Sequence, residues 1–346
     1  MSDEPERDSL NPFDTAPERN VGGAEIPGAA PFQLVSVEGM EDTPASSPQP
    51  APLDPDQLIP AEPPFFQSWP YAEQPPPPSR IPNLVHLLIL LGLLFFGLVC
   101  SGLLTRAALH VHLFGVMTSS QAETDTHYTL GSMAALYLVT FIASLLVFPL
   151  FWHKSFFAGV QWNAATALRL RGRLFAAAFA CFVLAMVDQL LLPGPTNAPI
   201  DKLFQTSTEA WLLFAFGVTF APFFEEIFFR GFLLPALCTA WDWAMEQSTG
   251  RPPRPLDQTG QPQWSMFAMI LASVLTSIPF ALMHAEQTAY SLGPFLLLLS
   301  VSLVLCWTRL ATRSLAASVL VHASYNFLLF SLMLVGSGGF KHLDKM

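Results

Sequence analysis

Charge is what this chain of 346 residues has least of: Asp, Glu, Lys and Arg make up 12% of it, against 52% hydrophobic residues. Soluble domains average about 25% charged residues. A soluble globular fold is therefore excluded, and an integral membrane protein is expected. No stretch is basic enough for a nucleic-acid-binding surface, so no nucleic-acid partner is expected. Cysteine is scarce too. Cys100, Cys181, Cys238 and Cys306 lie singly in apolar segments, with no CxxC. That spacing excludes a zinc knuckle or a redox pair and leaves thiols that act as small hydrophobes. The N-terminus lacks the basic flank and apolar core of a signal peptide. There is no nucleophile elbow, and Ser273, Ser277 and Ser324 have no carboxylate–histidine relay recognisable by spacing, so a serine protease is not expected. No repeat of the transporter kind is visible.

The little charge that exists is unevenly placed. Residues 1–80 hold 14 acids against three arginines, a net of −11, whereas residues 81–346 have a net of +1. The same 80 residues hold 18 of the 31 prolines and no sustained apolar run. Such a composition buries too little apolar surface to offset ordering entropy, so residues 1–80 are expected to be a disordered acidic tail. Pro75 to Pro78 would form a short polyproline II rod leading to the membrane. Seven apolar segments follow, at Leu84–Leu104, Leu130–Trp152, Leu174–Leu192, Trp211–Ala240, Met266–His284, Leu292–Leu310 and Leu315–Val335. Each is near the ~20 residues a membrane span needs. Lipid offers no partner to an open backbone, so each should be a helix. The expected fold is all-α, a polytopic transmembrane bundle of about seven helices. Residues 81–200 supply its N-terminal helices and 201–340 its functional core. Gln161–Arg173, with Arg169, Arg171 and Arg173, reads as an amphipathic surface piece.

Orientation follows from Lys and Arg in the connections. With the tail inside, the inner connections carry Arg80, Lys154, Arg169, Arg171, Arg173, Arg251, Arg254, Arg309 and Arg313. The outer ones carry Arg106, Lys202, Lys341 and Lys345. The acidic tail is thus expected in the cytoplasm of a multi-pass cell-membrane protein.

Polar residues inside such spans are costly and usually paired or functional. The fourth segment holds Glu225, Glu226 and Arg230. On a helix Glu226 and Arg230 share a face, and Glu225 points about 100° away. The arginine can therefore neutralise Glu226 and leave Glu225 free, although a pair shared by both acids is the plainer alternative. Segment five carries His284, and segment seven carries His322 and Asn326 four residues apart on one face. Either could be interhelical glue. Together they form a set suited to hydrolysis. A partly desolvated carboxylate can take a proton from water, a histidine can orient that water, and imidazole and amide N–H groups can donate to an oxyanion. Glu225, His284 and His322 also suit a zinc ion. At 1.5 Å per residue these groups sit at different depths in straight helices. Bends at Pro222 and Pro279, or extension of helix five towards Tyr290, would bring them together.

The order Glu-Glu-x-x-x-Arg-Gly, Phe-x-x-x-His, His-x-x-x-Asn over about residues 205–335 resembles the CPBP family, the CAAX prenyl endopeptidases and bacteriocin-processing or abortive-infection proteins. Arg313-Ser314-Leu315 before the last histidine is similar to its bacterial members. The resemblance implies an intramembrane endopeptidase acting on a membrane-associated peptide or protein. Glu225 with His284 would activate water, Glu226 and Arg230 would brace and tune Glu225, and His322 with Asn326 would form the oxyanion site. The family is described as metalloproteases, which would make a divalent metal such as zinc a cofactor. The chain ends soon after segment seven, so the eighth helix of larger members is not expected. Two other readings stay open: a non-catalytic membrane immunity or scaffold protein, and a transporter with the acids as a proton relay.

Overall fold

The computed structural model describes residues 80–115, 117–192, 199, 204, 206–258 and 260–341. The expected disordered tail and polyproline rod lie outside the described residues, except for Arg80. Among the described residues the chain is helical, with one isolated bridge between Leu256 and Pro262. Seven helical stretches are long and apolar enough to cross a membrane, as the composition predicted.

The first two spans are α1 (Leu84–His110) and α3 (Thr126–Trp152), joined through the short α2 (Ser119–Ala122). Asn83 caps α1 by accepting from the N–H groups of Val85 and His86, and His86 Nδ1 accepts from Asn83 N–H in return. This reciprocal cap satisfies donors that a helix start otherwise leaves open. The two spans pack through small residues. A Cβ on Gly97 would collide with Thr140 Oγ1, and Ser101 Oγ donates to Ser132 O at 2.7 Å. Small side chains let helix backbones approach in lipid, where no hydrophobic force drives them together.

Two short helices, α4 (Phe156–Gly159) and α5 (Ala164–Arg169), lead into α6 (Arg171–Leu191). The Gln161–Arg173 piece is thus α5 plus the start of the third span. The fourth span, Ser207–Thr249, runs 43 residues. At 1.5 Å per residue it is about 65 Å long, roughly twice a bilayer's apolar thickness. It is a composite: α7 (Ser207–Ala215), a π segment Phe216–Phe220, α8 (Ala221–Glu226), a second π segment Ile227–Leu233, and α9 (Leu234–Thr249). Each π segment ends two residues before a proline. Ala221 N–H reaches back five residues to Phe216 O ahead of Pro222, and Leu234 N–H does the same to Phe229 O ahead of Pro235. Proline has no N–H and crowds the preceding turn, so the wider π turn absorbs it without breaking the rod.

The last three spans are α10 (Met266–Met283), α11 (Leu292–Thr312) and α12 (Leu315–Gly336). Buried Phe148, Trp152, Phe156, Phe232 and Leu315 tie α3, α4, the second π segment and α12 into one core. A second core joins α5, α6, α11 and α12 through Ala178, Leu305, Ala317 and Val321. The composite span is thereby held between α3 on one side and α10 to α12 on the others. Helix five does not extend towards Tyr290. It stops at Met283, and hydrogen-bonded turns follow in which Ala289 and Tyr290 take positive φ.

Candidate functional site

Glu226 and Arg230 are both completely buried, and Arg230 Nη1 donates to Glu226 Oε1 at 2.8 Å. The i,i+4 pairing read from sequence therefore forms. Arg230 Nη2 donates to Ser302 O at 3.0 Å and Ser302 Oγ at 2.6 Å, which pins the composite span to α11. The guanidinium also lies 4.6 Å from the centroid of the Phe280 ring on α10. Cation–π contact of this kind is stronger where water is excluded. Ser302 had no sequence signal: it is 72 residues from Arg230 and meets it only through packing.

His322, on α12, completes the network. Its Nδ1 is 3.0 Å from Glu226 Oε1 and its Nε2 is 3.9 Å from Glu225 Oε2. A carboxylate only accepts, so Nδ1 carries the proton and donates to Glu226. In the neutral ring Nε2 then presents its lone pair on the Glu225 side. The 3.9 Å gap is too wide for a hydrogen bond and suits a bridging water. The Phe280 ring packs edge-on against His322.

Glu225 has a different surrounding from its neighbour. It is 9% exposed, makes no bond to Arg230, and borders a cavity of about 290 Å3. The wall includes Leu90 and Leu94 from α1, Tyr137 and Phe141 from α3, and Phe224 beside Glu225 itself. Tyr137 stacks on Phe216 and Phe224, at centroid distances of 6.2 and 5.0 Å. Half of this wall comes from helices in which the sequence offered no motif. Nothing in their composition marks Tyr137, because its role depends on where α3 docks.

His284 lies just past α10, half-buried, and its Nδ1 is 2.8 Å from Phe280 O. The backbone explains this. His284 N–H turns tightly to Ala281 O, so the Phe280 carbonyl is open and the histidine ring caps it. His284 makes no hydrogen bond or ion pair with Glu225 or His322, although its neighbour Met283 lines the Glu225 cavity. Asn326 Nδ2 donates to Gly217 O at 2.7 Å. That carbonyl sits inside the first π segment, where Ala221 N–H goes to Phe216 O and Pro222 has no N–H to give. One of the two Asn326 amide donors is thus committed to the helix backbone.

Residues 207–328 match the family described as type II CAAX prenyl endopeptidase, Rce1-like. The Glu225–Glu226–Arg230, Phe280–His284 and His322–Asn326 motifs all fall inside this Rce1-like segment. No curated protein and no solved structure matches the chain. The segment supports a protease-type enzyme, and with the seven apolar spans it supports a multi-pass membrane protein.

Zinc requires three or four donors within about 2.0–2.3 Å of one point. Among the described residues no three His, Cys, Asp or Glu side chains form such a group. His322 and His284 commit Nδ1 to Glu226 and to a carbonyl, which leaves Nε2 open in each, the nitrogen a metal would take. As placed, however, Glu225, His284 and His322 do not gather around one point.

Proposed function

We propose that the chain is an intramembrane endopeptidase of the CAAX-protease type, hydrolysing a peptide bond of a membrane-associated peptide or protein with Glu225 as general base. The observation that carries this reading is the division of labour between adjacent acids: Glu226 is neutralised by Arg230, while Glu225 faces an apolar cavity with His322 Nε2 at 3.9 Å. A carboxylate so placed can hold a water against the imidazole.

In the proposed step Glu225 takes a proton from that water as its oxygen attacks the peptide carbonyl carbon. The C=O electron pair moves onto oxygen. The second Asn326 N–H donates to that oxyanion, while neutral His322 holds the water through its Nε2 lone pair. The His284 Nε2 lone pair, left open by its Nδ1 contact, orients the water from the α10 side. The C–N bond then breaks as Glu225 passes its proton to the leaving amine. The cavity walled by α1 and α3 takes the apolar part of the substrate.

The test is turnover of a membrane-associated peptide by full-length protein, with products identified by mass spectrometry. Glu225→Gln should lower kcat at least about 100-fold, the scale of a lost general base, while the protein still inserts and unfolds normally. Undiminished cleavage by that variant would remove Glu225 from the role. Cleavage that survives exhaustive chelation agrees with water activation by Glu225 alone.

A further inference from the structure

A second buried arginine is not used by this site. Arg309, in the last turn of α11, is 1% exposed. Its one hydrogen bond goes to Val160 O at a long 3.4 Å, and its Nε and Nη1 have no partner. It does not cap its own helix end, and it forms no salt bridge. Glu226, the acid that bears on it electrostatically, is already bound to Arg230. A buried cation without an anion is among the costliest features a fold can hold, and such a group calls for an explanation.

Arg309 lines a cavity of about 260 Å3 with Gln161, Gln263, Trp264, Met269 and Arg313. Gln161 Oε1 is also buried without a donor. Arg313 stands at the rim with its side chain 53% exposed, paired with Asp257. Trp264 is held by donating its indole N–H to Thr239 Oγ1 at 3.1 Å. The cavity therefore has a cationic floor with open donors, a second arginine at its mouth and a fixed aromatic wall. Water could satisfy the open N–H groups but not the charge. An oxyanion supplies both, and a guanidinium matches phosphate geometry well. The cavity lies at the helix ends, beside the α9–α10 connection that carries Arg251 and Arg254. There the phosphate of a lipid headgroup is the anion most at hand.

We infer that Arg309 and Arg313 form a phosphate-binding site, filled by a lipid headgroup or by free phosphate. It is independent of the peptidase reading.

The experiment uses full-length protein in a phosphate-free maltoside detergent, followed by thermal unfolding. One arm adds sodium phosphate against sodium chloride at matched ionic strength. The other adds dioctanoyl phosphatidic acid against dioctanoylglycerol, which has the same chains without the phosphate. A ligand that binds only the folded state raises the melting temperature in a saturable way. The wild type should respond to phosphatidic acid, to phosphate, or to both. A response confined to the lipid identifies a headgroup, and equal responses show that free phosphate suffices. Arg309→Met should move the saturation midpoint at least about 10-fold, and Arg313→Gln about 3-fold, as deep and rim charge contacts differ. Should Arg309→Met not fold, Arg309→Lys keeps the charge, loses the fork and should still weaken binding about 10-fold. Indifference of the wild type to both phosphate sources, or wild-type midpoints in the Arg309 variants, would overturn the site.

Discussion

Glu225 and Glu226 are adjacent in sequence and occupy opposite kinds of region. Glu226 is fully buried in a polar knot with Arg230, His322 and, through the arginine, Ser302, all at 2.6 to 3.0 Å. Glu225 stands at the edge of an apolar cavity, and the nearest base is 3.9 Å away. The contrast teaches that charge in this membrane body is divided by availability. One acid is spent on holding three spans together, and the other is kept open. A helix makes this division inexpensive, because a step of about 100° turns the second side chain to another face.

The largest expected effect breaks the knot. Glu226→Ala leaves Arg230 buried without its anion and should cost about 3–5 kcal/mol of unfolding free energy, the size found when one partner of a buried pair is removed. Reversible denaturation of purified protein measures it. Replacing both partners, as Glu226→Leu with Arg230→Met, should recover much of that loss, because apolar side chains of similar volume need no counter-charge. Glu225→Gln should differ by less than about 1 kcal/mol from wild type in the same assay, since it leaves no buried charge unpaired. If Glu225→Gln proves the more destabilising, the division between the two acids is wrong.

Asn326 sharpens the comparison from the other side, because it touches both regions. Its amide holds Gly217 O in the π segment, and its remaining N–H is the proposed oxyanion donor. Asn326→Leu should destabilise by about 1–3 kcal/mol, the cost of a part-buried carbonyl losing its donor, and should also lower kcat. Lost turnover with unchanged stability would place the residue with Glu225 alone. Lost stability with unchanged turnover per folded molecule would place it with Glu226 alone.

Much of this arrangement is legible in the sequence. The Glu226–Arg230 pair follows from spacing on a helix, and the seven spans follow from apolar length. The π segments are not part of the expected plain helix, although Pro222 and Pro235 mark where a helical register must loosen. The stop of α10 at Met283 lies within one residue of the end expected near His284, and only the alternative extension towards Tyr290 fails, which Ala285 to Tyr290 left open by containing no strong breaker. The backbone turns there through positive φ at Ala289 and Tyr290, which neither residue type favours. The α1–α3 wall and the Ser302 contact were beyond reach for one shared reason. They depend on which helix docks where, and single-chain periodicity carries no such information.

The smallest effect tests how redundant the knot is. Ser302→Ala removes the 2.6 Å hydroxyl acceptor of Arg230 Nη2 but leaves the Ser302 carbonyl at 3.0 Å in place. The arginine then keeps Glu226, a carbonyl and the Phe280 ring. The cost should be about 1 kcal/mol, the net worth of one hydrogen bond with its donor still partly satisfied. Combined with Glu226→Ala it should cost less than the sum of the two, because an arginine released from its carboxylate has already lost the orientation that aims Nη2 at Ser302. A strictly additive double variant would mean that the composite span is clamped to α11 independently of its acid. The knot would then be two separate contacts that happen to share an arginine.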